Sequence, residues 1–165
     1  MGMISRNPFT GLAASVHENQ KRFYFVSAEE THVVLEACPD VQWRLIFALS
    51  RYGGLRCPSE VLGLRWQDVD WARSRMRVAS PKTEHHEGGA LRHVPIFPEL
   101  APFLRDAFEQ AAAGDQFVIT RYRNLACNLR TQLLRIIGRA GIEPWPKLFQ
   151  NLRSTRQPEV IERFP

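Results

Sequence analysis

The stretch GLRCPSEVLGLRWQDVD, residues 54–70, decides the fold, together with what stands on either side of it. Before it, VQWRLIFALSRY (41–52) is apolar on nearly every side, the pattern of a helix buried in the middle of its domain. Gly53 and Gly54 stop that helix. Pro58, whose fixed φ suits a first helical turn, opens a short helix that runs to about Leu64. The stretch is therefore a glycine-marked junction between two helices, with Arg56 inside it and Glu60 near enough to orient its guanidinium. An arginine so placed can face a cleft; taken alone, it is as readily a surface arginine capping the preceding helix.

Working outward, Ser27-Ala28-Glu29-Glu30 is a capping box that opens a helix to about Ala37, ended by Pro39, and Asp40 can cap the buried helix that follows. Residues 1–24 lack sustained periodicity and read as a linker or lead-in. Downstream the texture changes. Arg75–Ser80 and Arg92–Phe97 alternate polar and apolar, as strands with one solvated face do. The polar, Gly88-Gly89-containing segment between them predicts a hairpin with a long mobile loop. Helical patterning returns from Glu99 to about Ala113 and from Asn124 to Ala140, the latter burying Leu125, Leu129, Leu133, Ile136 and Ile137 and leaving Arg130 and Arg139 outside. Gln157 begins a last helix. The sum is a mainly α domain with one small antiparallel sheet.

The 165 residues suffice for one domain with a proper core. With 44% hydrophobic and 24% charged residues the balance is that of an ordinary globular protein. No window is apolar enough to span a bilayer, and the first residues lack the apolar core of a secretory signal. Cys38, Cys57 and Cys127 are odd in number and widely spaced, which favours reduced thiols in a cytoplasm. The net charge is +5, and its distribution is uneven: residues 121–165 hold nine basic side chains against Glu143, Glu159 and Glu162. A basic segment on a near-neutral body points to a phosphate-bearing partner, and also describes a solvated Arg-rich helix face.

Three places can carry chemistry. The first is Arg56 with Glu60. The second is Pro81-Lys82-Thr83, where a lysine on a mobile hairpin can reach a phosphate. The third is Gln150-Asn151-Leu152-Arg153, a polar cluster just ahead of the last helix. His85, His86 and His93 with Glu84 and Glu87 lack the helical spacing or cysteine support of a zinc centre, so no metal is expected.

The order and flanks of these places resemble the catalytic domain of the tyrosine recombinases, the phage-integrase family. The resemblance runs from about Phe25 to the end and includes Trp66-Gln67-Asp68-Val69-Asp70 before the sheet and Arg92-His93-Val94-Pro95-Ile96 after the loop. It implies the fold of that domain, with residues 1–24 as the linker from an absent N-terminal DNA-binding domain and 25–165 as an incomplete catalytic domain. It implies double-stranded DNA as partner, assembly as tetramers on paired sites, a cytoplasmic, nucleoid-associated location and no cofactor. Carried over by position, Arg56 and Arg153 clamp the scissile phosphate, Lys82 is the general acid for the leaving 5′ oxygen, and Glu60 supports Arg56. Two guanidinium forks suit the charge that builds on the non-bridging oxygens.

The sequence departs from the family pattern. One extra residue separates Arg56 from Glu60, with Pro58 inserted. Gln150 replaces the usual histidine and cannot titrate. Tyr24, Tyr52 and Tyr122 all precede Arg153 and match no nucleophile position, so the expectation is a chain that ends before its attacking tyrosine and is inactive alone. A non-catalytic DNA-binding or regulatory remnant of a mobile-element integrase remains the alternative.

Overall fold

A computed structural model describes residues 22–79, 91–124 and 127–163 of the chain. Lys82, the predicted hairpin tip with His85 and His86, Leu125, and most of the predicted lead-in lie outside those residues. Six helices and three short strands follow in order: α1 Ala28–Glu36, α2 Val41–Arg51, α3 Ser59–Gly63, a 3₁₀ turn Trp66–Asp68, β1 Val69–Asp70, β2 Arg75–Ala79, β3 Leu91–Pro95, α4 Ala101–Glu109, α5 Leu129–Arg139 and α6 Leu148–Arg163.

The capping box forms as expected, with Ser27 Oγ accepting from the Glu30 N–H and the Glu30 carboxylate accepting from the Ser27 N–H. Asp40 caps α2 by accepting from the Trp43 N–H. Helix α2 is the centre of the core: Trp43 and every residue from Leu45 to Arg51 are buried. It packs against α1, α3, α4 and α6. Arg51, at its C-terminal end, is buried too, and is satisfied by Glu159 on α6, Thr31 on α1 and the Val26 carbonyl.

The sheet has the order β1-β2-β3 and is antiparallel throughout, so the predicted hairpin gains a third strand from the Asp68–Asp70 region. Its register pairs Met76 with Val94 and Val78 with Arg92. Met76, Val78 and Val94 are buried while Arg77 and His93 face outward, as a period of two requires.

Three boundaries differ from the sequence expectation. Helix α4 stops at Glu109, short of the expected Ala113. Helix α5 begins only at Leu129, because the Asn128 side chain accepts from the Thr131 N–H and sets the N-cap there, leaving Tyr122 in a turn ahead of it. Helix α6 begins at Leu148, nine residues before the expected start, and continues through Pro158. The Gln150–Arg153 cluster thus lies inside the first turns of α6. Proline is at home in the first turn of a helix, and Pro158 marks such a start in the sequence; packing of α6 on α2 overrides that signal.

At the α2–α3 junction, Gly54 takes a left-handed conformation (φ +63°), which turns the chain towards Arg56. At Gly53 the constraint is space, since an added Cβ would stand 2.8 Å from the Leu49 carbonyl oxygen and 3.0 Å from Leu55 Cδ1. At Gly54 the nearest atom to an added Cβ is Arg153 Cγ at 3.9 Å, an ordinary contact. Gly54→Ala is therefore expected to cost only the backbone penalty of roughly 1–2 kcal/mol in chemical denaturation, and Gly53→Ala to cost more. The reverse order would place the strain elsewhere in the turn.

Candidate active site

Arg56 follows the left-handed Gly54 and heads the short helix α3; its carbonyl accepts from the N–H groups of Glu60 and Val61. The extra residue between Arg56 and Glu60 leaves their pairing intact. Arg56 Nη1 donates to Glu60 Oε1 at 2.6 Å, and the Arg56 backbone N–H donates to Oε2 at 2.9 Å. The Arg56 side chain is 30% exposed and that of Glu60 0%. This is a buried acid holding the root and tip of a half-exposed arginine, as the sequence suggested.

A second guanidinium shares that acid. Arg92 Nη2 on β3 donates to Glu60 Oε2 at 2.5 Å. Arg153 comes from α6 and lies over Gly54, where it feels the charge of both of the others. Burial, then Arg56 and Arg92, hold its guanidinium below the usual arginine range, with Glu60 opposing. No carboxylate forms an ion pair with Arg153 among the described residues. The fold therefore brings Arg56, Glu60 and Arg153 together as expected and adds Arg92, which sequence reasoning passed over. The signal was present: Arg92 has the same parity as Val94 and Ile96 and so belongs to the inner face of its strand. Gln150 stands one turn before Arg153 on α6 and is exposed.

Among the described residues three guanidiniums gather at one carboxylate, a net positive cluster with fork-shaped donors suited to an anion such as phosphate. Burial pushes the Glu60 carboxyl up, but the Arg56 N–H and the Arg92 and Arg56 guanidiniums outweigh it and hold the group below its ordinary value.

Candidate nucleophiles lie elsewhere. Cys57 adjoins Arg56, yet burial pushes its thiol up to about 12, and burial does the same to Cys38. The Tyr24 hydroxyl donates to Glu30 at 2.5 Å, which with burial raises its pKa. Tyr52 is raised by burial. Tyr122 lines a cavity of about 410 Å³ beside Cys57 and Phe149, but its hydroxyl donates to Asp40 at 2.5 Å, and burial with that bond raises it to about 12. Among the described residues no cluster of His, Cys, Asp and Glu is placed to hold a metal, and no helix is long and apolar enough to cross a membrane.

Residues 24–156 match the model of the Phage integrase family. A curated relative, a tyrosine recombinase XerC-like protein of Caldanaerobacter subterraneus subsp. tengcongensis, is 26% identical over 205 aligned positions that take in 98% of this chain and 51% of the relative. The chain thus spans about half the length of that relative. The crystal structure of XerA recombinase superposes with a TM-score of 0.68 at 21% identity, covering 86% of this chain and 51% of that one. A lambda integrase tetramer bound to a Holliday junction gives a TM-score of 0.63 at 19% identity, covering 87% of this chain and 44% of that one. Both structures show the shared fold: a helical domain with a small antiparallel sheet.

The buried acid generates a pH prediction. Because Glu60 titrates below its ordinary value of 4.5 when folded, its stabilising effect is complete above that pH and lost as pH falls through the lower folded value. Glu60→Gln should lower the melting temperature at pH 7, and the gap from the parent should narrow below about pH 4. Melts across that range giving a constant gap would mean that Glu60 stabilises the fold without its charge.

Proposed function

Because the chain belongs to the phage integrase family, the tyrosine recombinases, we propose that it binds double-stranded DNA and holds a scissile phosphate for strand cleavage and rejoining. One observation carries this reading: Arg56 and Arg153 converge across Gly54 while a buried carboxylate fixes the first of them. Arg56 and Arg153 grip the non-bridging oxygens and stabilise the charge that builds on them during attack. Gln150 adds a hydrogen bond to the phosphate where a histidine would also exchange a proton. Lys82 protonates the leaving group.

The step itself is a transesterification. A tyrosine phenolate oxygen attacks phosphorus, the bond from phosphorus to the 5′ oxygen breaks, and that oxygen takes a proton from Lys82. The 3′-phosphotyrosyl ester keeps the bond energy, and a 5′ hydroxyl reverses the step by attacking the same phosphorus. The two guanidiniums supply the charge, so the scheme calls for no metal ion or cofactor. Tyr24, Tyr52 and Tyr122 are each engaged in hydrogen bonds or burial, so we assign the nucleophile to a tyrosine other than these three. Assembly as a tetramer on paired DNA sites, as in the lambda integrase complex, is part of the proposal for the whole protein. The engagement of all three tyrosines favours a second form of the reading, in which these 165 residues bind DNA without cutting it.

Fluorescence anisotropy with a labelled duplex is expected to show affinity that falls with rising salt and depends little on sequence. Arg153→Ala should weaken binding about tenfold or more while changing stability by less than about 0.5 kcal/mol. Arg56→Ala should weaken binding similarly and also cost about 1–3 kcal/mol of stability, because it strips a partner from a buried carboxylate. Binding that ignores salt, or an Arg153→Ala chain that binds as the parent does, would refute a DNA-phosphate site.

A nicked suicide duplex is expected to leave no denaturation-stable protein–DNA band with this chain. A phenol held to Asp40 and raised to about 12 is poorly placed to attack. A band that disappears in Tyr122→Phe would identify Tyr122 as the nucleophile and overturn that assignment.

A further inference from the structure

Arg92 occupies a strand position that belongs to the core. It stands opposite Val78 and two residues from Val94, both buried, so its side chain leaves the sheet on the inner face. There it crosses to α3 and donates through Nη2 to Glu60 Oε2. Its Nε is buried, with no hydrogen-bond partner among the described residues. Its side chain is 36% exposed. A guanidinium this constrained requires a reason, because each buried donor left unpaired costs free energy.

The reason lies in the arithmetic of charge around Glu60. A buried carboxylate is a good device for orienting Arg56, since it fixes both the backbone N–H and Nη1. It is also a poor neighbour for a phosphate, because Glu60 and Arg56 alone sum to zero. Among the described residues, adding Arg92 leaves the trio at +1, and Arg153 brings the cluster to +2. Orientation and charge are then separated between two arginines.

Resting on the DNA-phosphate reading above, we propose that Arg92 is a positioning residue: it holds Glu60, the carboxylate that orients Arg56, and supplies a counter-charge to it, so that Arg56 can act on a DNA phosphodiester while still paired with Glu60. It acts through the carboxylate and needs no contact with the phosphate.

A double-mutant cycle on the full 165-residue chain tests this, with a labelled duplex at low salt and melts to confirm folding. Arg92→Met, which keeps the aliphatic stem but not the charge, is expected to weaken binding about tenfold, and Arg92→Lys, which restores the charge, to stay within about threefold of the parent. In a Glu60→Gln background, Arg92→Met should cost less than about twofold more, because its point of action has gone. An equal loss in both backgrounds would mean that Arg92 meets DNA directly, and no loss in either would mean that it has no part in the site; each sinks the inference. Failure of Arg92→Lys to recover binding, with the fold intact, sinks it as well. If Arg92→Met does not fold, Arg92→Gln replaces it in the cycle, and if neither folds the residue is structural and the inference falls. Should Arg56→Ala and Arg153→Ala lose affinity while Arg92→Met does not, this inference alone fails; should the unsubstituted chain bind no DNA, the functional reading fails with it.

Discussion

Helix α2 has almost no face to give to water, and the arrangement of the other elements follows from that. Its buried run from Leu45 to Arg51 must be covered on all sides, so α1, α3, α4 and α6 gather around it. Burying a single large apolar side chain is worth about 1.5–3 kcal/mol, and a helix clothed in them sets its neighbours' positions more firmly than any surface contact. The glycine pair at its end then becomes the pivot of the site. Gly53 lets Leu49 and Leu55 close on each other, and Gly54 turns the chain so that Arg56 leaves the core and Arg153 can lie across the turn.

Two ion clusters flank this helix, and their balance separates structure from function. Near its C-terminal end, Arg51 and Arg156 face Glu159 and Glu99, two against two, with Arg156 also stacked over Phe97. Arg51 is almost fully enclosed, and breaking such a buried pair costs about 3–5 kcal/mol because a bare charge remains. Among the described residues the charges of that cluster balance. Around Glu60 the ratio is three guanidiniums to one carboxylate. Like charges held together in a partly dry site raise the energy of the free protein unless an anion completes them. Among the described residues that imbalance, more than the presence of arginines, sets the second cluster apart from the first and supports the phosphate-binding reading proposed for it.

Most of this was legible in the chain because its signals are local. Ser27 with Glu30, Asp40 before Trp43, and the glycine pair at 53–54 each act within a few residues, and each formed where the pattern put it. The pairing of Arg56 with Glu60 was legible for the same reason, since both belong to one turn of chain. The misses come from interactions at long range. Nothing in the sequence near Gln157, where the last helix was expected to begin, announces that α6 starts at Leu148 and packs on α2. The polar run at Asn124 hid the true cap at Asn128. Arg92 was overlooked because alternation was counted as polar against apolar, whereas its place in the strand parity, shared with Val94, fixes which way it points.

Helix α6 shows how the second arginine is steadied. With about 100° of turn per residue, Asn151 and Thr155 lie on one side of the helix and Arg153 on the opposite side. The Asn151 amide donates to the carbonyls of Arg22 and Pro146, and the Thr155 hydroxyl donates to the Asn151 carbonyl while accepting from the Val26 N–H. Tyr24 stacks on Trp145 next to these bonds. The chain entering the domain is thereby laced to the back of the helix whose front carries Arg153. Two of these four bonds use backbone groups of residues 22–26, the Arg22 carbonyl and the Val26 N–H, so they constrain the path of that segment with little regard to its side chains. A guanidinium has several rotatable bonds of its own, and placing it for bidentate contact requires at least that its helix not rock. In this fold that rigidity comes from a segment more than a hundred residues earlier in the chain, which is why the motif around Arg153 reads as plain helix entry until the two ends are seen together.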